Sequence, residues 1–170
     1  MLPRLPLAAH NSPMSNVQTL PHPQTASARS IAGLAEPLLG SDGPVVHLLR
    51  NALPKAMAVY AFGSQVAGTA RADSDLDLAV LVAGYADPLQ LWDLSHQLAD
   101  LAGCPVDLLD LRAASTVMQY QALTHGRRLW AQGVDADLFE CFVMGEKLAL
   151  DEARAGTLAD IAADGRVYGR

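Results

Sequence analysis

Two aspartates, Asp75 and Asp77, stand one residue apart at the head of a run that otherwise reads as a buried strand, Leu76 to Val82. Strand side chains alternate faces, so the two carboxylates point one way while Leu76, Leu78 and Val80 point into the core. Like charges side by side repel, and without a cation one of them tends to keep its proton. A divalent ion removes that conflict. Carboxylate oxygens suit Mg2+ or Mn2+, and Mg2+ usually keeps waters and takes substrate phosphates as its remaining ligands. Taken alone, the Asp-Leu-Asp triplet reads as an exposed strand end with two solvated aspartates.

The residues upstream change that balance. Gly63 and Ser64 follow a short apolar run, Ala56 to Phe62. Glycine lets the backbone turn sharply and approach a ligand closely. Ser64 offers a hydroxyl and an N–H, and a helix beginning after it would add free N–H groups that attract anions. Gly-Ser alone is usually a turn. In strand–loop–strand context, with Asp-x-Asp at a fixed spacing, it reads as a phosphate cradle beside a metal-binding pair. A third carboxylate is expected nearby, and Asp107 is the candidate. Val106 and Leu108 flank it toward the core, so it shares the side of Asp75 and Asp77 if the two strands are neighbours. Asp110 has the opposite parity and reads as a strand-end or capping residue.

The elements that must hold these residues follow from hydrophobic period and punctuation. Helices are expected at Ser30–Leu39, Pro44–Leu53, Pro88–Ala102, Ala113–Thr124 and Asp135–Ala155, with a short helix and tail after Leu158. Leu91, Leu94, Leu98 and Leu101 should form the apolar face of the third of these. Strands are expected at Ala56–Phe62, Leu76–Val82, Pro105–Leu111 and Arg127–Ala131. This alternation is that of an α/β (α+β) domain with a small mixed sheet flanked by helices. Residues 1–28 carry Pro3, Pro6, Pro13, Pro21 and Pro23 and no acidic residue, and read as a flexible tail. Translation from Met14 is left open. The expected domain is then 29–170, ending in its C-terminal helix.

Composition narrows the function. The chain has 170 residues, is 51% hydrophobic and 18% charged, and has a net charge of -6. That balance fits a folded domain and lacks the broad positive field that drives nucleic-acid binding. No apolar run reaches the roughly 20 residues of a membrane span. Cys104 and Cys141 read as buried thiols in a reducing cytoplasm. The five histidines show no zinc-ligand spacing. Trp92 and Trp130 read as core or half-buried packing, Tyr120 as packing on its helix, and Arg127 and Arg128 as a basic strand edge.

Gly63-Ser64, ten residues, then Asp75-Leu76-Asp77 resembles the signature of the polymerase-β-like nucleotidyltransferase superfamily. The short length, the third strand Val106-Asp107-Leu108-Leu109-Asp110-Leu111 and the helix after it resemble the minimal nucleotidyltransferases, in particular the MntA-type antitoxins that act on HEPN-domain toxins of the HepT type. The resemblance runs from about Val45 to Tyr168. It implies metal ligation by Asp75 and Asp77, with Asp107 completing the triad, and triphosphate contact from Gly63 and Ser64. It also implies transfer of AMP from ATP to a tyrosine hydroxyl of the toxin. Many relatives carry Arg directly after Gly-Ser. Here Gln65 stands in that place, leaving Arg71 as the candidate basic phosphate contact, or none. Two other readings remain. One is a small-molecule nucleotidyltransferase of the aminoglycoside type, which usually needs an acceptor domain larger than the roughly 40 residues after Arg128. The other is an antitoxin that acts by occlusion without catalysis.

Overall fold

The computed structural model describes residues 35–71 and 73–164. The tail expected at 1–28, the start of the first expected helix, Ala72 and the last six residues lie outside the described residues. The order of elements is α1 (Ala35–Leu39), α2 (Pro44–Ala52), β1 (Ala56–Phe62), α3 (Gly63–Ala67), β2 (Leu76–Val82), α4 (Pro88–Ala102), β3 (Val106–Asp110), α5 (Thr116–Thr124), β4 (Arg127–Ala131) and α6 (Asp135–Asp164).

The strands form one sheet in the order β3-β2-β1-β4. β1 is antiparallel to both β2 and β4, while β2 and β3 are parallel and joined through α4. Parallel neighbours need such a crossover, and α4 has the signals to supply it. The Asp87 carboxylate caps its start by accepting from Leu89 N at 2.9 Å, Pro88 occupies its first turn, and Gly103 closes it at φ 71°.

Period-two alternation divides the core into two layers. Val59, Ala61, Leu76, Leu78 and Val80 pack against α2 and α4. Ala58, Tyr60, Phe62, Ala79 and Leu81 face the other way, into a second cluster with Ala122, Phe139 and Val143 from α5 and α6. Tyr60 brings a polar tip into that second layer. Its hydroxyl donates to Glu140 Oε1 at 2.9 Å, and Arg128 binds Glu140 and Asp137 at 3.1 and 2.5 Å. Burial, reinforced by Glu140, pushes the Tyr60 hydroxyl pKa well up, so it remains a donor.

Several sequence expectations are corrected here. Trp92 is 62% exposed, because it lies one residue off the buried stripe Leu91–Leu94–Leu98, and its ring meets His96 in a tilted contact instead. Leu101, in the last turn of α4, is also exposed. Cys141 is exposed and Cys104 only partly buried. The last helix does not stop at Ala155 but continues to Asp164. Past Ala155 it carries Leu158, Ala159, Ala162 and Ala163, good helix formers that offset the cost of about 1 kcal/mol at Gly156. The turn between α5 and β4 depends on Gly126. A Cβ there would collide with Ala122 O and come within 2.8 Å of Ala61 O. Gly126→Ala should therefore lower stability by about 1–3 kcal/mol, read as a drop in melting temperature. An unchanged melting temperature would show that the turn has slack.

Candidate active site

The site forms at one end of the sheet, where β1 finishes and β2 and β3 begin. Because β2 and β3 run parallel, Asp77 and Asp107 pair directly in register, and Phe62 pairs with Asp77 on the other side. Asp75 immediately precedes β2. The sequence parity argument thus meets the sheet order it required: Asp75, Asp77 and Asp107 each present a carboxylate oxygen, all within 4.8 Å of one another. Asp75 and Asp107 are exposed and Asp77 is partly buried.

Gly63 seals the inner side of this cluster. It has φ +74°, a conformation that suits glycine, and a Cβ at that position would overlap the Asp77 carboxylate. Ser64 follows at the start of α3. The helix expected after Gly-Ser exists but spans only five residues. Its dipole is correspondingly small, so an anion here would depend on the close backbone and the Ser64 hydroxyl.

Gln65 has a structural task. Its Nε2 donates to Ser74 O at 2.9 Å, while Arg71 N donates to Ser74 Oγ at 2.8 Å. The two bonds brace the loop directly ahead of Asp75. Arg71 itself is exposed. Asp110 behaves as its parity indicated. It is 6% exposed, and its two oxygens accept from Ala86 N and Arg112 N, each at 2.9 Å.

Sequence reasoning missed the wall opposite Gly63. A cleft of about 580 Å3 runs from Gly63, Ser64 and Asp77 to Met118, Gln121 and His125 of α5 and its C-cap. Helical spacing places those three on one stripe, but nothing local in the sequence says that the stripe meets the Gly-Ser turn.

Electrostatics single out Asp77. Its carboxyl is held above the usual carboxylate range, first by burial and then by the charges of Asp75 and Asp107. Burial also raises the Cys104 thiol, and the nearby Asp75 adds to the shift, which leaves Cys104 a poor nucleophile. Three hard oxygen donors at this separation, with one carboxyl resisting ionisation, fit a hard divalent cation.

Comparison with known proteins agrees with this geometry. The family described as polymerase beta, nucleotidyltransferase matches residues 45–133. A curated relative from Shewanella oneidensis, protein adenylyltransferase MntA, is 36% identical over 124 residues, covering 73% of this chain and 89% of the relative. One chain of a toxin–antitoxin crystal structure with AMP-PNP is 37% identical at a TM-score of 0.64, covering 69% of this chain and 95% of that one. A chain from the complex of a tri-AMPylated Shewanella oneidensis HEPN toxin with MNT antitoxin is 35% identical at a TM-score of 0.59, covering 69% and 92%. The chain belongs to the polymerase β nucleotidyltransferase family.

Two predictions follow from the crowded carboxylates. Asp77 has a raised pKa in the folded state, so its contribution to stability is present below the unfolded value and lost as pH rises through the folded one. In chelator near neutral pH, Asp77→Asn should therefore melt at a higher temperature than the parent, with the gap closing toward about pH 4. A lower melting temperature for the variant would show that the pocket tolerates the charge unaided. Divalent cation should raise the melting temperature of the parent and not of Gly63→Ala, in which Asp77 is displaced. An equal rise in both would show that Gly63 does not shape the ion site.

Proposed function

We propose that this protein is a protein adenylyltransferase that moves AMP from ATP to a tyrosine hydroxyl of a cognate HEPN-domain toxin and so neutralises it. The supporting observation is the register of Asp77 against Asp107, with Asp75 and the Gly63-Ser64 turn at the same strand end, in a chain of the nucleotidyltransferase family. The Shewanella oneidensis relative carries that activity in its name, and structurally similar chains occur with AMP-PNP or with an AMPylated HEPN toxin. A reaction that consumes ATP and modifies a toxin is proposed to run in the cytoplasm, and no described helix is long and apolar enough to cross a membrane.

In this reading Asp75, Asp77 and Asp107 hold the metal, Mg2+ or Mn2+, and Gly63 and Ser64 bind the triphosphate. When bound, the cation draws charge from the phosphates and the departing pyrophosphate. Asp107 is exposed at the rim, where an incoming tyrosine can reach it. A tyrosine hydroxyl with a pKa near 10 needs a base, and Asp107 accepts its proton. The phenolic oxygen then bonds to the α-phosphorus while the bond from phosphorus to the bridging oxygen of pyrophosphate breaks. Gly63 keeps the Asp77 side of the pocket closed, and Gln65 holds the loop that aims Asp75.

The test is mass spectrometry of the partner toxin after incubation with ATP and Mg2+. Each transferred AMP should add about 329 Da and release one pyrophosphate. Asp75→Asn, Asp77→Asn and Asp107→Asn should each lower the rate by roughly 10^2 or more. Full transfer by both Asp75→Asn and Asp77→Asn would overturn the metal assignment. Tight toxin binding without a mass change would favour occlusion, and transfer only to a small hydroxylated molecule would favour the aminoglycoside-type reading.

A further inference from the structure

We propose that His125, at the C-terminal end of α5, contacts the β- and γ-phosphates of the bound nucleotide and supplies the basic group that Gln65 does not; this rests on the nucleotide-binding reading above. Three observations converge on it. The first is place. His125 lines the same cleft as Gly63, Ser64 and Asp77. A Cβ on the neighbouring Gly126 would come within 2.8 Å of Ala61 O and 3.0 Å of Phe62 Cβ, so the turn that carries His125 packs directly against the end of β1.

The second is charge. A triphosphate added to three carboxylates leaves the cleft net negative even with two divalent ions bound. Among the described lining residues, His125 alone can carry positive charge. Gln65 is neutral and engaged with Ser74 O, and Arg71 lies outside the cleft-lining set. Asp77 lines the same cleft as His125, and Arg127 follows two residues on in β4.

The third is ring orientation. Thr124 Oγ1 donates its single proton to Tyr120 O at 2.7 Å, so in its 3.0 Å contact with His125 Nδ1 the ring nitrogen is the donor. That commits Nδ1 and leaves Nε2 as the ring nitrogen available to a ligand. As a charged ring, His125 can then donate from Nε2 to a phosphate oxygen, a charge-assisted bond of the stronger kind.

Calorimetric titration of the full chain with AMP-PNP and with AMP, each with Mg2+, tests this. His125→Ala and His125→Gln should bind AMP-PNP about tenfold more weakly and AMP almost unchanged, while His125→Lys should recover most of the AMP-PNP affinity. Unchanged AMP-PNP affinity in both neutral variants would overturn the contact. So would equal weakening toward AMP and AMP-PNP, because the lost interaction would then not involve the outer phosphates. The underlying reading fails separately: parent protein that does not bind AMP-PNP at all sinks both proposals, whereas a parent that binds and variants that match it sink only this one.

Discussion

Three like charges converge at one strand end, and the rest of the molecule is arranged around that constraint. Left to electrostatics, Asp75, Asp77 and Asp107 would separate. They stay together because the register of β2 against β3 is decided elsewhere. Leu76, Leu78 and Val80 on β2, and Val106 and Leu108 on β3, share the layer under α2 and α4. Each fully buried side chain of this size contributes roughly 1.5–3 kcal/mol. A slip of one residue would turn all of them to the opposite face. Repulsion at a site where two of the three carboxylates are exposed to water cannot compete with that sum. The hydrophobic pattern thus sets the spacing of the charges, and the raised pKa of Asp77 reflects its burial and the crowding by Asp75 and Asp107.

Sterics then convert the charged edge into a cleft. Two glycines act on its two sides. Gly63 gives its missing side chain's volume to the Asp77 carboxylate, and Gly126 lets the α5–β4 turn rest directly on the end of β1. Without the first, Asp77 could not sit beside the Gly-Ser turn. Without the second, the stripe Met118–Gln121–His125 would be held away from it. The antiparallel pairing of β1 with β2 matters equally. It returns the chain so that the end of one strand and the start of the next lie side by side, with only α3 and a short loop between them.

How much of this could be read in advance depended on the range of the interaction. β1, β2, α4 and β4 fall where local period, glycine and proline place them, and the Asp75–Asp77–Asp107 grouping follows from strand parity once β2 and β3 are neighbours. The sequence could state that adjacency only as a condition, since it is fixed by the α4 crossover and the core. Misreadings arose where periodicity was overruled or silent. By its type Trp92 reads as packing, although its position one residue off the Leu91–Leu94–Leu98 stripe faces solvent. Cys141 reads as buried by its type and is exposed. The extension of α6 past Gly156 reflects summed propensity rather than one breaker residue. Gln65 looked like a lost phosphate ligand; its bond to Ser74 shows a brace that no spacing rule announces. The α5 wall depends on the close approach at Gly126, a tertiary fact with no local signature.

Asp107 and Asp110 show how one short strand supplies both chemistry and structure. They lie three residues apart on β3, so they point to opposite faces. Asp110 pairs with Val80 at the far end, is shielded from water, and spends both oxygens on backbone N–H groups of Ala86 and Arg112. A carboxylate so engaged and shielded fastens the loops after β2 and β3 and is out of a substrate's reach. Asp107 pairs with Asp77 at the near end, exposed, among acidic neighbours. Its oxygens are the kind that a cation or a proton can still recruit. The residue type is the same in both places. Parity decides the face, register decides the neighbour, and the neighbour decides whether the carboxylate holds the fold or is free to react.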